Sequence, residues 1–397
     1  MNRDFQSEMG IYQQLGLGEV IVATGNFTEL GGSLMPAEVL EAMRAAARSF
    51  VSIPALQERA GQVIAEHTGA EAGYVTSGAA AGLALATAAC MTGRDPAAIQ
   101  QLPDTDGLKN EILIHKAHSN NYNRMFRLAG AEVKELGYSA HRTQPWQLES
   151  ALDEKTAAIV YVVAQFLLSK SALPLPEVLR IARDRGVPVI VDAANELPPV
   201  ENLRKFIEMG ADLVIFSGGK DLQGPQPTGF ICGRRDLIAA CVLNGAPNHG
   251  IGRPMKVGKE EIVGLLAALD RYVTLDHQAR IARWERQVSL ILDGLADIER
   301  LRVRRVFPDY TGRPVPRAWL TWDEEGDGLS KQKVMDDLAA GSPAIRLLEE
   351  YAGKGLLIDP TTLLEGQESI IADRLRKIFA GRAARHSGER ANKEAQS

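Results

Sequence analysis

Ala211-Asp-Leu-Val-Ile-Phe-Ser-Gly-Gly-Lys-Asp221 decides the fold. Its first six residues are mostly apolar and read as a strand buried on both faces, which Ser217-Gly218-Gly219 ends just before Lys220. Upstream, Val187-Pro-Val-Ile-Val-Asp192 repeats the pattern and ends on a carboxylate, 220 − 192 = 28 positions before the lysine. Further short apolar runs at 112–115 and 157–163 are set apart from these by helical periodicity, as in 176–185 and 202–209. Buried strands alternating with amphipathic helices predict βαβ units and a mostly parallel sheet. Thr228-Gly-Phe-Ile-Cys-Gly233 reads as one more strand returning after the lysine loop, and Gly186 and Gly210 close helices just ahead of strands.

Open parallel sheets bind ligands beyond the carboxyl ends of their strands, which is where Asp192 and Lys220 both fall. A lysine amine beside glycines that let a bulky ring approach is suited to forming a Schiff base with an aldehyde cofactor. A carboxylate is suited to keeping a pyridine nitrogen protonated, so that the ring accepts electrons. These are the two protein groups that pyridoxal 5'-phosphate (PLP) needs most. Each also has a plain reading, a surface lysine in a Gly-rich turn and an aspartate capping a loop. Ala194 is small enough for the ring to lie flat against that strand end, and equally fits simple packing.

Tyr74-Val-Thr-Ser-Gly-Ala-Ala-Ala-Gly-Leu83 turns from a short strand into a helix through Ser77, Gly78 and Ala79. The helix start aims unpaired N–H groups and a partial positive charge at one point, which fits a phosphate; Ser77 fits an ordinary N-cap as well. Ser217 offers a second hydroxyl to the same phosphate. His118, just beyond the run at 112–115, is placed to stack on the cofactor ring, with Tyr122 as its competitor and an exposed loop histidine as the bland alternative. His115 and His118 have no third ligand at a sensible spacing, so no metal is expected. Gln165, beyond the run at 157–163, is placed to hydrogen-bond the cofactor's phenolic oxygen. There is no G-x-S-x-G elbow or Walker A motif, and Gly16-Leu-Gly18 precedes a strand instead of following one.

The 397 residues, 45% of them hydrophobic, suffice for more than one folding unit. A formal net charge of −5 argues against a nucleic-acid surface. Cys90, Cys232 and Cys241 show no paired spacing and fit a reducing compartment. No signal-peptide pattern or membrane-length apolar run occurs, so a cytoplasmic protein is expected. From 259 the texture changes: a helical stretch at 259–297 broken once, strands at 301–307 and 317–322, a helix at 331–340, strands at 345–348 and 355–358, and a helix at 366–380. The expected organisation is an N-terminal segment 1–55 joining the small domain, a large cofactor domain 56–257, a small α/β domain 258–380, and a disordered tail 381–397.

Assembled, these residues resemble the PLP-dependent fold-type-I enzymes of the aspartate-aminotransferase superfamily, and within it the branch of bacterial selenocysteine synthase and its shorter ammonia-lyase relatives. The resemblance runs from about residue 20 to 380. Ala23-Thr-Gly-Asn26, Leu30-Gly-Gly-Ser33, Leu56-Gln-Glu-Arg-Ala-Gly61, Thr76-Ser-Gly-Ala79, Val191-Asp-Ala-Ala194, Ser217-Gly-Gly-Lys220, Gly224-Pro-Gln226 and Gly252-Arg-Pro-Met-Lys-Val-Gly-Lys259 carry it. It implies a PLP-dependent transferase fold, with a seven-stranded-type, mostly parallel sheet in the large domain. It further implies that Lys220 binds the cofactor covalently, Asp192 pairs with the ring nitrogen, the Ser77–Ala79 turn holds phosphate, and Arg253 and Lys256 meet a substrate anion. Asn26, Thr28 and Ser33 are expected on the substrate side. Where selenocysteine synthase has an additional N-terminal region used on tRNA, the matching sequence here starts near residue 20 with a negative net charge, so no nucleic-acid substrate is expected. The implied protein is a homodimer or higher homo-oligomer. The implied activity is an ammonia-lyase or dehydratase type α,β-elimination on a small, anionic hydroxy amino acid or amino sugar acid. Racemisation, aldol cleavage and transamination need the same residues and stay open, as does a non-catalytic PLP-binding protein.

Overall fold

The computed structural model describes residues 10–138, 141–163, 171–350 and 353–394. The chain divides into two compact units, Gly31–Leu275 and a smaller one made of Met1–Leu30 with Asp276–Ser397. In chain order the strands are β1 (Val20–Ala23) of the smaller unit; β2 (Ala72–Thr76), β3 (Glu111–His115), β4 (Glu132–Leu136), β5 (Thr156–Val162), β6 (Val189–Asp192), β7 (Leu213–Ser217) and β8 (Gly229–Gly233) of the larger; and β9 (Arg302–Val306), β10 (Arg317–Thr321), β11 (Ala344–Glu349) and β12 (Leu356–Ile358) of the smaller again.

In the larger unit the sheet order is β2-β8-β7-β6-β5-β3-β4. Every neighbouring pair is parallel except the two that involve β8, so β8 alone runs against the rest. Successive residues of each central strand enter opposite cores. Ile159, Tyr161, Val191, Val214 and Phe216 face one, with helices Leu175–Arg185 and Lys259–Thr274. Val160, Val162, Ile190, Leu213 and Ile215 face the other, with helices Ala79–Thr92 and Arg235–Asn244. Burial on both faces explains why these strands read as unbroken apolar runs instead of alternating ones. β4 escapes that pattern. Its sequence Glu-Val-Lys-Glu-Leu is an edge strand, and Lys134 is paired with Glu111 at 2.9 Å and Asp153 at 3.2 Å.

The unit boundaries fall at 30/31 and 275/276, away from the expected 55/56 and 257/258. The reason is packing. Helix Ala37–Ala46 lies along helix Lys259–Thr274, where a Cβ on Gly264 would stand 2.7 Å from Met43, so both helices belong to the larger unit.

In the smaller unit β1 pairs parallel with β11, and the antiparallel order β11-β12-β10-β9 follows. Helices His277–Leu295 and Gln367–Glu394 pack together and line the core of this unit with Val288, Ile291, Leu295, Ile371 and Leu375. The second of these helices continues through most of the expected tail 381–397. The alanine, arginine, glutamate and lysine there are good helix formers, and extending a helix requires no new nucleus.

Gly229 is a tight joint between sheet and site. A Cβ there would lie 2.7 Å from the Ala79 nitrogen and 2.7 Å from the Phe216 carbonyl oxygen. Gly229→Ala is therefore expected to destabilise the larger unit by roughly 1–3 kcal/mol through forced backbone shifts. Urea unfolding monitored by circular dichroism measures this.

Candidate active site

The parallel strands bring their carboxyl ends to one edge of the sheet. Val162 is opposite Asp192, and Asp192 is opposite Ile215, two residues before Ser217. Ser217 and Thr76 both stand opposite Gly229 from either side. Asp192, Ser217 and the Ser77 turn thus occupy adjoining strand ends of one unit, and Lys220 follows three residues after Ser217.

Gly78 carries the turn with φ +97°, a conformation L side chains rarely adopt, and nothing stands within 4 Å of where its Cβ would be. It caps helix Ala79–Thr92 without any side-chain cap. Thr76 Oγ1 donates to the Gly78 carbonyl at 2.9 Å, which fixes the turn. Ser77 Oγ donates to the Met255 carbonyl at 3.0 Å, so the turn is tied to the loop that carries Arg253 and Lys256. Both of those cations are exposed.

Asp192 is partly exposed, and its Oδ1 accepts from the Ala194 N–H at 3.0 Å. Burial pushes its carboxyl above the ordinary carboxylate range, while the Ala194 N–H and the Lys220 charge pull it down. Asp192 and Lys220 therefore sense each other electrostatically. The lysine loop is closed on itself. The Gly218 N–H donates to Thr228 at 2.8 Å, that of Gly224 to Gly218 at 2.9 Å, and that of Gln223 to the Lys220 carbonyl at 2.9 Å. Gly32 and Ser33 brace it from outside. Ser33 Oγ donates to the Gly219 carbonyl at 3.1 Å, and a Cβ on Gly32 would stand 2.6 Å from that same oxygen. The Leu30-Gly-Gly-Ser33 motif thus supports the lysine loop, a role that sequence alone did not reveal because 186 positions separate Ser33 from Gly219.

His118 is not the exposed loop histidine of the bland reading. It is fully buried, with its ring edge-on to Tyr161 at 4.6 Å and 5.2 Å from that of His115, whereas Tyr122 is 56% exposed. Neither nitrogen of His118 has a hydrogen-bond partner among the described residues, and His115 Nε2 accepts only weakly, from the Leu173 N–H at 3.3 Å. Burial lowers His115 to about 4 and, with the neighbouring imidazole, His118 to about 3. Gln165 lies outside the described residues. Asn26 and Thr28 belong to the smaller unit, just after β1.

Comparison with known proteins decides the family. The model for the L-seryl-tRNA selenium transferase family, SelA, matches residues 18–300. The chain belongs to this family. Among individual relatives, the D-glucosaminate-6-phosphate ammonia lyase of Salmonella typhimurium is 39% identical over 93% of this chain and 97% of that protein. A 5'-C-glycyluridine monooxygenase-decarboxylase of a Streptomyces species is 40% identical over 91% and 90%. The solved structure of a D-glucosaminate-6-phosphate ammonia-lyase superposes with a TM-score of 0.83 at 38% identity, covering 95% of this chain and all of the other. A NifS-like protein, at 17% identity and a TM-score of 0.59, shares the fold. Like its family, the chain is a PLP-dependent fold-type-I enzyme, with a mixed, mostly parallel sheet in its larger unit. No helix among the described residues is long and apolar enough to cross a membrane.

The strand-end residues fit PLP on grounds of their own. The uncapped helix start behind Gly78 offers N–H groups without an intrahelical acceptor to a phosphate, and the side-chain-free space at Gly78 admits it. The uphill carboxyl of Asp192 gains a stabilising partner in a pyridinium N–H.

The buried histidines make a pH prediction. Both have folded-state values below the ordinary 6.5, so the unfolded chain binds more protons as pH falls below 6.5. Their share of stability is complete above pH 6.5 and drains away toward pH 4 and 3. His118→Phe is expected to flatten the decline in unfolding free energy between pH 6.5 and 4.5. An unchanged slope in urea titrations across that window would refute the assignment.

Proposed function

We propose that this enzyme is a lyase that eliminates across Cα–Cβ of a small, anionic hydroxy amino acid or amino sugar acid, releasing ammonia. The observation that carries this reading is the placement of Asp192 and of Lys220, three residues after β7, at the ends of paired parallel strands beside an uncapped helix start. The relatives named for ammonia-lyase activity support it.

In this reading Lys220 would hold the cofactor through its aldehyde, and Asp192 would hold the ring nitrogen. Ser77, Gly78, Ala79 and Ser217 surround the phosphate. Ala194 and His118 would border the ring. PLP, when bound, supplies an electron sink that acidifies the substrate's Cα–H. The Lys220 amine would take the Cα proton and return one to the departing β-hydroxyl. Water leaves from Cβ, and hydrolysis at Cα then yields a 2-keto acid and ammonia, so the water is regained. Arg253 and Lys256 receive the substrate's anionic end; a guanidinium holds a carboxylate or phosphate in two places.

The relative named for ammonia release from a sugar-acid phosphate makes such a phosphate the first compound to test. A second reading rests on the monooxygenase-decarboxylase, equally similar, for which oxygen uptake and carbon dioxide replace ammonia as readouts. We further read the protein as a cytoplasmic homo-oligomer that takes no nucleic acid. The unpaired cysteines support a reducing compartment, and exposed Leu34, Leu40, Phe50 and Val51 support self-association.

Ammonia and a 2-keto acid in equal amounts from D-glucosaminate 6-phosphate or a simpler β-hydroxy amino acid are the expected products. Accumulation of the inverted stereoisomer alone would make the enzyme a racemase. Lys220→Ala is expected to lower kcat by about 10³-fold or more and to abolish the visible absorbance of the lysine-bound cofactor. Arg253→Ala is expected to raise KM for an anionic substrate about tenfold, with kcat within about threefold.

A further inference from the structure

Gln223 is the one non-glycine residue among those described with a positive φ, +60°. A left-handed backbone costs an L-residue free energy, and such strain persists only where surrounding contacts over-determine it. Here the contacts are visible. The Gln223 N–H closes on the Lys220 carbonyl at 2.9 Å, and its side-chain Oε1 accepts from Arg271 Nη1 at 3.1 Å. Two residues earlier, Asp221 Oδ2 accepts from the Tyr272 hydroxyl at 2.7 Å, with both side chains buried. Arg271 and Tyr272 are neighbours in the last turn of helix Lys259–Thr274. That helix also crowds the loop's glycines, since a Cβ on Gly218 would stand 2.6 Å from Leu265. One helix end therefore grips the lysine loop on both sides of Leu222, immediately after the residue that performs the chemistry.

We infer that Arg271–Gln223 and Tyr272–Asp221 form a two-point latch that sets the backbone of Lys220, making Gln223, Asp221, Arg271 and Tyr272 positioning residues for the reaction. The inference rests on the reading of Lys220 as the cofactor-bearing lysine. A purely structural loop would be satisfied by apolar packing alone. Instead two polar links converge on the two residues that flank Leu222, and one of them holds a strained conformation whose N–H is bonded to Lys220 itself. Losing either link leaves the loop folded, because the Gly218–Thr228 and Gly224–Gly218 bonds remain, but frees the lysine peptide to rotate. An amine bound covalently to a ring fixed at its other end would feel that freedom as strain in the linkage.

The experiment compares the unaltered holoenzyme with Tyr272→Phe, Gln223→Ala and Asp221→Asn, each loaded with PLP. Three quantities are read: the pH midpoint of the visible band, the first-order rate of cofactor loss, and Tm. Tyr272→Phe and Gln223→Ala are expected to lose cofactor about five- to tenfold faster, as for one lost buried hydrogen bond. Their band midpoint should move by about half a pH unit or more, with Tm within a few degrees of the parent. Asp221→Asn keeps an acceptor for the Tyr272 hydroxyl and should track the parent. Unchanged midpoint and loss rate in both of the first two variants, or changes that merely follow Tm, would overturn the latch while leaving the cofactor assignment intact. Absence of a lysine-linked band in the unaltered protein would instead overturn both.

Discussion

A carboxylate and an ammonium held at adjoining strand ends organise this molecule. Burial alone makes Asp192 hard to ionise, and Lys220 makes it easier. For the two to meet, β6 and β7 must be parallel neighbours in register, with both strands buried on both faces by helices. The seven-stranded sheet is the scaffold that enforces this. Its single antiparallel strand, β8, serves the same end, because Gly229 lets the Ser77–Ala79 turn and β7 approach from its two sides.

Much of that arrangement was legible in the chain. Strands buried on both faces leave continuous apolar runs, and a run that stops on Asp192 or on Ser217-Gly218-Gly219-Lys220 announces a strand end with chemistry attached. Helix Ala79–Thr92 was legible because small residues around Gly78 leave few other uses for the turn. The break between helices Lys259–Thr274 and His277–Leu295 also fell inside the stretch read as helical and broken once.

What sequence did not show has a common cause, contact between groups far apart in the chain. β4 is a charged edge strand whose partners for Lys134, Glu111 and Asp153, come from other elements. The burial of His118 depends on Tyr161, more than forty residues away in the chain, so the plain reading of an exposed loop histidine was reasonable and wrong. Ser33, Arg271 and Tyr272 act on the lysine loop from positions far from it in the chain. The unit boundaries moved for the same reason, since helix Ala37–Ala46 finds its partner in helix Lys259–Thr274.

The central claim is that Lys220 carries the cofactor aldehyde in covalent linkage. Borohydride reduction of PLP-saturated protein, followed by proteolysis and peptide mass mapping, tests it most directly. The account predicts a single phosphopyridoxyl group on the peptide that contains Lys220. An unmodified Lys220 peptide, or a label placed stoichiometrically on another lysine, would contradict it.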